Sequence, residues 1–242
     1  MMMSVSSQSS PGLPTTCWSL VVHCDPSHDT RAAALGELCQ RYWYPVYAYL
    51  RHSGHAPEIA QDITRAFLAD LLREPPAATS QLPRPRFRDF LLERLRGFLA
   101  ADWRDLPVAD ATLPEPAVAE LEARNRLDHA QGTAPVDAYQ RSFAAEIIAR
   151  ALARLHDEAR QSDHLDMLDA LLPYLTAQPA PGDYEAIARR LGQRPLALIV
   201  ALKRLRQRFR ELVGRELSDT VDSPADLIEE QRTLHGILSA KA

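Results

Sequence analysis

The chain has 242 residues, 46% of them hydrophobic and 25% charged, so it is long enough for one large domain or two small ones. Its formal net charge is −4, which excludes a general polycation and requires any nucleic-acid binding to rest on local basic faces. Only 9 glycines occur, no alternating strand pattern is present, and good helix formers are abundant, so we predict an all-α fold.

The N-terminal segment and the cysteines indicate a soluble cytoplasmic protein. Residues 1–15 lack the layout of a signal peptide and are predicted to form a disordered leader. Cys17, Cys24 and Cys39 show no CxxC spacing, which favours reduced thiols. Because no tetrahedral-ligand pattern surrounds them and no long apolar span occurs, we predict neither a metal site nor a membrane segment.

Helical periodicity predicts a first helical domain over residues 16–104. A helix from Thr30 carries an aromatic cluster, which we interpret as packing core rather than as a base-stacking surface, and Pro45 is expected to kink or divide it. Pro57 begins a second helix, and an Arg- and Phe-rich helix follows in residues 84–104. The apolar side of the second helix is formed by Ile59, Ile63, Phe67, Leu68, Leu71 and Leu72.

The composition then changes. Residues 105–141 are rich in Pro, Ala and acidic residues and are predicted to be a linker that contains a helical turn at Val118–Leu127. A second helical domain is predicted over residues 142–217, followed by a C-terminal helical extension over residues 218–242. The acidic residues of this extension could cover a basic helix or form a solvated face.

The most informative stretch runs from Tyr184 to Arg215. Apolar residues at three- and four-residue steps predict two helices, Gly192 suits the turn between them, and Pro195 suits the first turn of the second helix. The stretch contains 9 basic and 2 acidic residues. This pattern is typical of a helix-turn-helix whose second helix enters a DNA major groove; an ordinary helical hairpin with a solvated Arg face is the alternative.

Four segments together resemble bacterial sigma factors of the extracytoplasmic-function type, in the sigma-70 family. They are LCQRYWYPVY (38–47), Asp62-Ile63-Thr64 with Phe67, RFRDFL (86–91) and FLAADWR (98–104). The resemblance covers about Trp18 to Leu238. It implies a first domain like sigma region 2 and a second like sigma region 4.

The resemblance implies that the chain, a monomer when free, binds core RNA polymerase and directs it to promoter DNA. Docking on the clamp helices of the largest subunit implies roles for Glu58, Asp62 and Phe67, and the second domain would meet the flap on the −35 side. The residues implied to contact the −10 and −35 elements are Arg86, Arg88, Arg96, Trp103, Arg104, Arg194, Lys203, Arg204 and Arg206. Pro195, Leu196 and Ile199 stand where polar base-contacting residues are common in the family.

The helix from Pro57 carries less negative charge than the resemblance leads us to expect, because Gln61 and Arg65 stand near Asp62. Thr64 matches a threonine that a Ser/Thr protein kinase phosphorylates in one branch of the family. A phosphate would add about −1.5 to −2 of charge and restore attraction to a basic clamp. We therefore predict that phosphorylated Thr64 is the activating switch; a plain helix threonine bonded to a carbonyl one turn earlier is the alternative.

A stand-alone DNA-binding regulator and an enzyme are the two other classes of function. A stand-alone helix-turn-helix regulator would dimerise on palindromic duplex DNA and would need no melting surface. An enzyme is not expected, since the sequence contains no G-x-S-x-G, P-loop, H-E-x-x-H or dinucleotide-binding pattern. We accordingly predict no catalytic residues and no cofactor.

Overall fold

The computed structural model describes residues 28–73, 86–101, 115–130, 132–221 and 223–239. Within these ranges the structure is helical and contains no strand, which confirms the all-α prediction. None of the helices described is long and apolar enough to span a bilayer. Residues 1–15, for which a disordered leader is predicted, and Cys17, Cys24, Trp103 and Arg104 lie outside the described residues. The helices are α1 (His28–His52), α2 (Pro57–Arg73), α3 (Phe87–Ala100), α4 (Val118–Asp128), α5 (Pro135–Gln161), α6 (Leu165–Leu171), α7 (Asp183–Leu191), α8 (Pro195–Ser218) and α9 (Pro224–Ser239), with a 3-10 turn at Leu172–Tyr174.

The aromatic cluster of α1 lies in the core, as its helical spacing predicts. Tyr42 and Tyr47 are fully buried. The Tyr42 ring lies 5.1 Å from the Phe87 ring of α3 and 6.0 Å from the Phe143 ring of α5, between ring centroids. Pro45 does not divide the helix, which runs unbroken from His28 to His52. These rings join three helices and are not available to stack on bases.

Helix α5 belongs to both halves of the chain. Its residues Tyr139 and Phe143 are buried in the core formed by α1, α2 and α3. Further along, Ala151 and Leu155 pack with buried residues of α6 and α8. The predicted boundary at residues 141/142 falls inside this helix. In the described part of the chain, a continuous helix therefore joins the two halves, and α4 and the start of α5 occupy the region predicted to be a linker.

A charged network attaches α4 to α1. The Glu122 carboxylate accepts hydrogen bonds from the Tyr47 hydroxyl at 2.7 Å and from the Arg51 guanidinium at 2.6 and 3.0 Å. Hydrogen bonds from Arg51 are the largest cause that lowers the pKa of Glu122 below its ordinary value. The ionised form of Glu122 therefore stabilises the packing of α4 on α1.

We expect Glu122→Gln to lower the free energy of unfolding at pH 7 by roughly 1 to 2 kcal/mol, because hydrogen bonds to a charged group are weakened. Since the folded-state pKa is lowered, the stabilisation is present above the ordinary value of 4.5 and is lost as the pH falls through the lower folded value. Urea denaturation over a pH series measures this, with exposed Glu120→Gln on the same helix as the control. A difference between Glu122→Gln and wild type that stayed constant with pH would contradict the assignment.

Candidate nucleic-acid interface

Helices α7 and α8 form a helix-turn-helix unit. Gly192 has a φ of 64°, in the left-handed region that favours glycine, and the Gln193 N–H donates to the Ala188 carbonyl at 2.9 Å. Pro195 then occupies the first turn of α8, where a missing N–H leaves no broken hydrogen bond. The turn and both helices expected from the sequence are present.

One side of α8 holds the unit together. Leu198 and Leu202 are buried against Ile187 and Ala188 of α7 and against Leu171 of α6. These leucines belong to the apolar spacing that predicts a seam facing the core. The opposite side of α8 is consequently left to solvent.

The exposed side of this unit is basic. From residue 195 to residue 210 the sequence contains five basic residues and no acidic one. Arg194, Lys203 and Arg204 are exposed and have no hydrogen-bond or ion-pair partner among the described residues. Arg189 and Arg190 of α7 are also exposed. This surface can attract an anion such as a DNA phosphate without breaking internal ion pairs.

Arg206 does not belong to this surface. Its guanidinium donates to the Tyr174 carbonyl at 3.0 and 2.8 Å and to the Ala177 carbonyl at 2.7 Å. Arg206 is predicted to contact DNA, but in this structure its half-buried guanidinium is hydrogen-bonded within the chain. These bonds hold the backbone at the end of the 3-10 turn and just after it.

The arginines at the start of α3 also form ion pairs within the chain. Arg88 is 3% exposed, and its Nε lies 2.6 Å from Oε1 of Glu230, which is fully buried on α9. Arg86 Nε lies 3.3 Å from Glu230, and its Nη2 lies 2.9 Å from Glu229. Burial raises the pKa of Glu230, and the charge of Arg88 opposes that shift. The prediction of a DNA contact is thus wrong for buried Arg88, and in this conformation Arg86 is paired.

The C-terminal helix consequently has a defined position. The Thr220 carbonyl accepts the Phe87 N–H at 3.0 Å, and Leu234 enters the main core. The acidic residues Glu229 and Glu230 face α3 and do not cover α8. Of the other first-domain residues predicted to contact DNA, Arg96 is exposed, whereas Trp103 and Arg104 lie outside the described residues.

Helix α2 is predicted to dock on polymerase, but only some of the residues predicted to make that contact are exposed. Glu58 and Asp62 are exposed. Phe67 is 1% exposed and its ring packs edge-on against Phe98, with 5.6 Å between ring centroids. The prediction that Phe67 docks on polymerase is therefore wrong for this structure, since the side chain is part of the core.

Thr64 lies on the same buried side. Its side chain is 0% exposed, and its hydroxyl donates to the Ala60 carbonyl one turn earlier at 2.7 Å. A kinase cannot reach this hydroxyl in the folded chain, and a phosphate there would be placed in an apolar core. The structure contradicts the predicted phosphorylation switch and matches the alternative of a plain helix threonine.

Arg65 of α2 has acidic partners within the chain, Asp62 and Glu115. Arg65 forms an ion pair with Glu115, including an Nη2–Oε2 contact of 2.6 Å. Gln61 donates to the Pro116 carbonyl at 3.1 Å. The sequence distance between α2 and residue 115 hides this pairing from sequence analysis. The low negative charge of α2 is therefore explained by Gln61 and Arg65, which contact residues 115 and 116 of the same chain. A phosphate on Thr64 is not needed to explain it.

No protein-family model matches this chain, and no curated protein and no solved structure matches it. In the ranges described above, no three His, Cys, Asp or Glu side chains are grouped so that they could hold a metal ion. Function is therefore inferred from the geometry and charge of the surface on α7 and α8, together with the sequence resemblance.

We expect Thr64→Glu to destabilise the chain by about 3 kcal/mol, because it buries an unpaired charge. Thr64→Val keeps the shape of the side chain and should change the free energy of unfolding by about 1 kcal/mol or less. Ile59→Glu, at an exposed position of the same helix, controls for added negative charge. If Thr64→Glu were as stable as wild type and bound polymerase more tightly, the hypothesis of a phosphorylation switch at Thr64 would be supported after all.

The buried pair between α3 and α9 gives a second prediction. Glu230→Leu leaves Arg88 buried without its partner and should lower the free energy of unfolding by about 3 kcal/mol. Adding Arg88→Met should recover most of this loss, because both charges are then removed. Glu229→Leu, at a carboxylate with 65% exposure, is the adjacent control and should have little effect. Additive losses in the double variant would show that the pair is not coupled.

Proposed function

We propose that this protein is an initiation factor of the extracytoplasmic-function sigma type, which binds core RNA polymerase and directs it to promoter DNA. The observation that carries the proposal is the exposed basic side of the α7–α8 unit, where Arg194, Lys203 and Arg204 have no partner in the described part of the chain. A helix-turn-helix with free cations on its second helix fits the phosphates that border a major groove.

The surface of α2 supports the polymerase half of the proposal. Glu58 and Asp62 are exposed on one helix, and Ile59 between them is 45% exposed. Asp62 also lies 3.4 Å from Arg65 of the same helix, at a site where its side chain is still 55% exposed. A small acidic surface with an apolar centre complements a basic clamp helix. The proposal does not include phosphorylation, because Thr64 is buried.

The pairing of Arg86 and Arg88 with α9 favours a second candidate, a stand-alone helix-turn-helix regulator. A factor that melts promoter DNA needs cations and aromatic faces for unpaired bases, and in this conformation the start of α3 does not offer them. A regulator would bind duplex DNA as a dimer without polymerase.

The DNA surface is tested by replacing Arg194, Lys203 and Arg204 together with alanine. The logarithm of the affinity falls linearly with the logarithm of the salt concentration, and each lost phosphate contact should reduce the magnitude of this slope by about 1. We therefore expect a slope smaller by up to about 3, measured by fluorescence anisotropy on duplex DNA with core polymerase present. The charge-matched control replaces three exposed arginines of other helices, Arg126, Arg160 and Arg232. Equal losses in the two triple variants would refute the assignment of the surface.

A second variant separates the two candidates. Glu58→Lys with Asp62→Lys should abolish retention of core polymerase and leave binding of duplex DNA by the chain alone unchanged. Glu93→Lys with Glu120→Lys, at exposed positions of α3 and α4, matches the change in charge. If wild type failed to bind polymerase and formed a dimer on duplex DNA, the regulator would replace the sigma factor as the proposed function.

A further inference from the structure

An apolar ridge crosses the exposed side of α8. It consists of Leu196, Ile199 and Val200, which are 71%, 46% and 44% exposed. They lie opposite the buried seam of Leu198 and Leu202, at the three- and four-residue spacing that places side chains on one helix face. The other large exposed apolar side chains of the described residues are distributed over α2, α4 and α9. Grouped exposed apolar side chains usually mark a binding surface.

The ridge is surrounded by positive charge. Arg194 precedes it in the turn, Lys203 and Arg204 follow it on α8, and Arg190 is exposed at the end of α7. The first acidic residue of α8 is Glu211. A second copy of the chain would bring like charges together around the ridge, which disfavours self-association. The partner must therefore combine an apolar feature with negative charge.

Duplex DNA fits this description better than an acidic peptide does. The ridge is convex, because its side chains stand out from a single helix, whereas apolar anchors of a peptide require a concave pocket. The major groove is itself concave, admits an α-helix, and is bordered by phosphates. Its one apolar feature is the 5-methyl group of thymine.

We propose that the ridge recognises thymine 5-methyl groups in the major groove. This inference rests on the proposed function and specifies the DNA sequence that the same surface would prefer. Both kinds of base pair present polar major-groove edges that aliphatic side chains cannot hydrogen-bond to, but only A·T pairs add an apolar 5-methyl group that the ridge can bury. From residue 196 to residue 200 the helix advances about 6 Å, which corresponds to about two base-pair steps. The preferred site should therefore contain about two neighbouring A·T pairs beneath the ridge.

The test removes the methyl group and nothing else. The full-length chain, with core polymerase where binding needs it, is first used to select a preferred duplex from a randomised library. Each thymine is then replaced, one at a time, by deoxyuridine, which keeps the base pair and lacks the 5-methyl group. At about two neighbouring positions we expect affinity to fall about fourfold per methyl group, the factor for a buried CH₂-sized group.

A matched pair of variants assigns the effect to the ridge. The ridge variant replaces Leu196, Ile199 and Val200 with alanine. It should bind thymine and deoxyuridine duplexes equally and keep a salt-dependent affinity through the surrounding cations. Alanine at three exposed apolar residues outside the ridge is the control and should keep the thymine preference. The control positions are Leu127, Ile228 and Leu238.

The outcomes distinguish the two proposals. If wild type binds thymine and deoxyuridine duplexes equally at every position, the methyl recognition is overturned and the proposed function stands. If the ridge variant keeps the full preference for thymine, methyl recognition by the ridge is likewise overturned. If no duplex is bound, with or without polymerase, the proposed function fails and the inference fails with it.

Discussion

The arrangement of the whole chain depends on helix α5, which has to bury two apolar surfaces at once. With 27 residues it is about 40 Å long. Tyr139 and Phe143 near its start belong to the same buried core as residues of α1, α2 and α3, and Leu155 near its end packs with α6 and α8. Because both ends are fixed in packed cores, α5 fixes the position of the basic surface on α8 relative to α2.

Two fully buried carboxylates determine how the C-terminal helices lie on this frame. Glu216 of α8 faces Arg150 and Arg154 of α5, each at 2.8 Å, and Glu230 of α9 faces the arginines at the start of α3. Exchanging a buried ion pair for apolar residues is often neutral, but separating the partners is costly. A shift of α8 or α9 by one helical turn would separate each carboxylate from its arginines. The main effect of these ion pairs is therefore to select one arrangement of the helices. Their contribution to the stability of that arrangement is smaller.

The local spacing of apolar residues predicts a large part of this structure. It predicts the buried faces of α2 and α8 and, with Gly192 and Pro195, the turn between α7 and α8. The exception on α2 is Ile59, which the spacing assigns to the apolar side and which is 45% exposed. Contacts between residues distant in sequence leave no such pattern. The pairing of Arg88 with Glu230 and the hydrogen bonds from Arg206 to the Tyr174 and Ala177 carbonyls cannot be predicted from spacing.

The region predicted to be a linker shows what composition alone leaves out, since α4 and the start of α5 lie in it. Pro, Ala and acidic residues favour an irregular segment, but Glu122 is held by Arg51, and Tyr139 is buried in the core. The errors at Thr64 and Phe67 have a related cause. Their helical spacing places both side chains on the buried face of α2, and a side chain packed there cannot also meet a kinase or a polymerase.

The internal ion pairs explain how a chain with a net charge of −4 can carry a surface for an anion. Glu115, Glu158, Glu216 and Glu230 are each paired with arginines of other segments, so their negative charges are compensated where they lie. Beyond a Debye length of about 8 Å at physiological salt, the remaining exposed acids act weakly on the α7–α8 unit. The field at this unit is therefore set by its own side chains, among which the basic residues outnumber Asp183, Glu185 and Glu211. The uncompensated positive charge and the apolar ridge occupy the same two turns of α8, so a single ligand has to satisfy both.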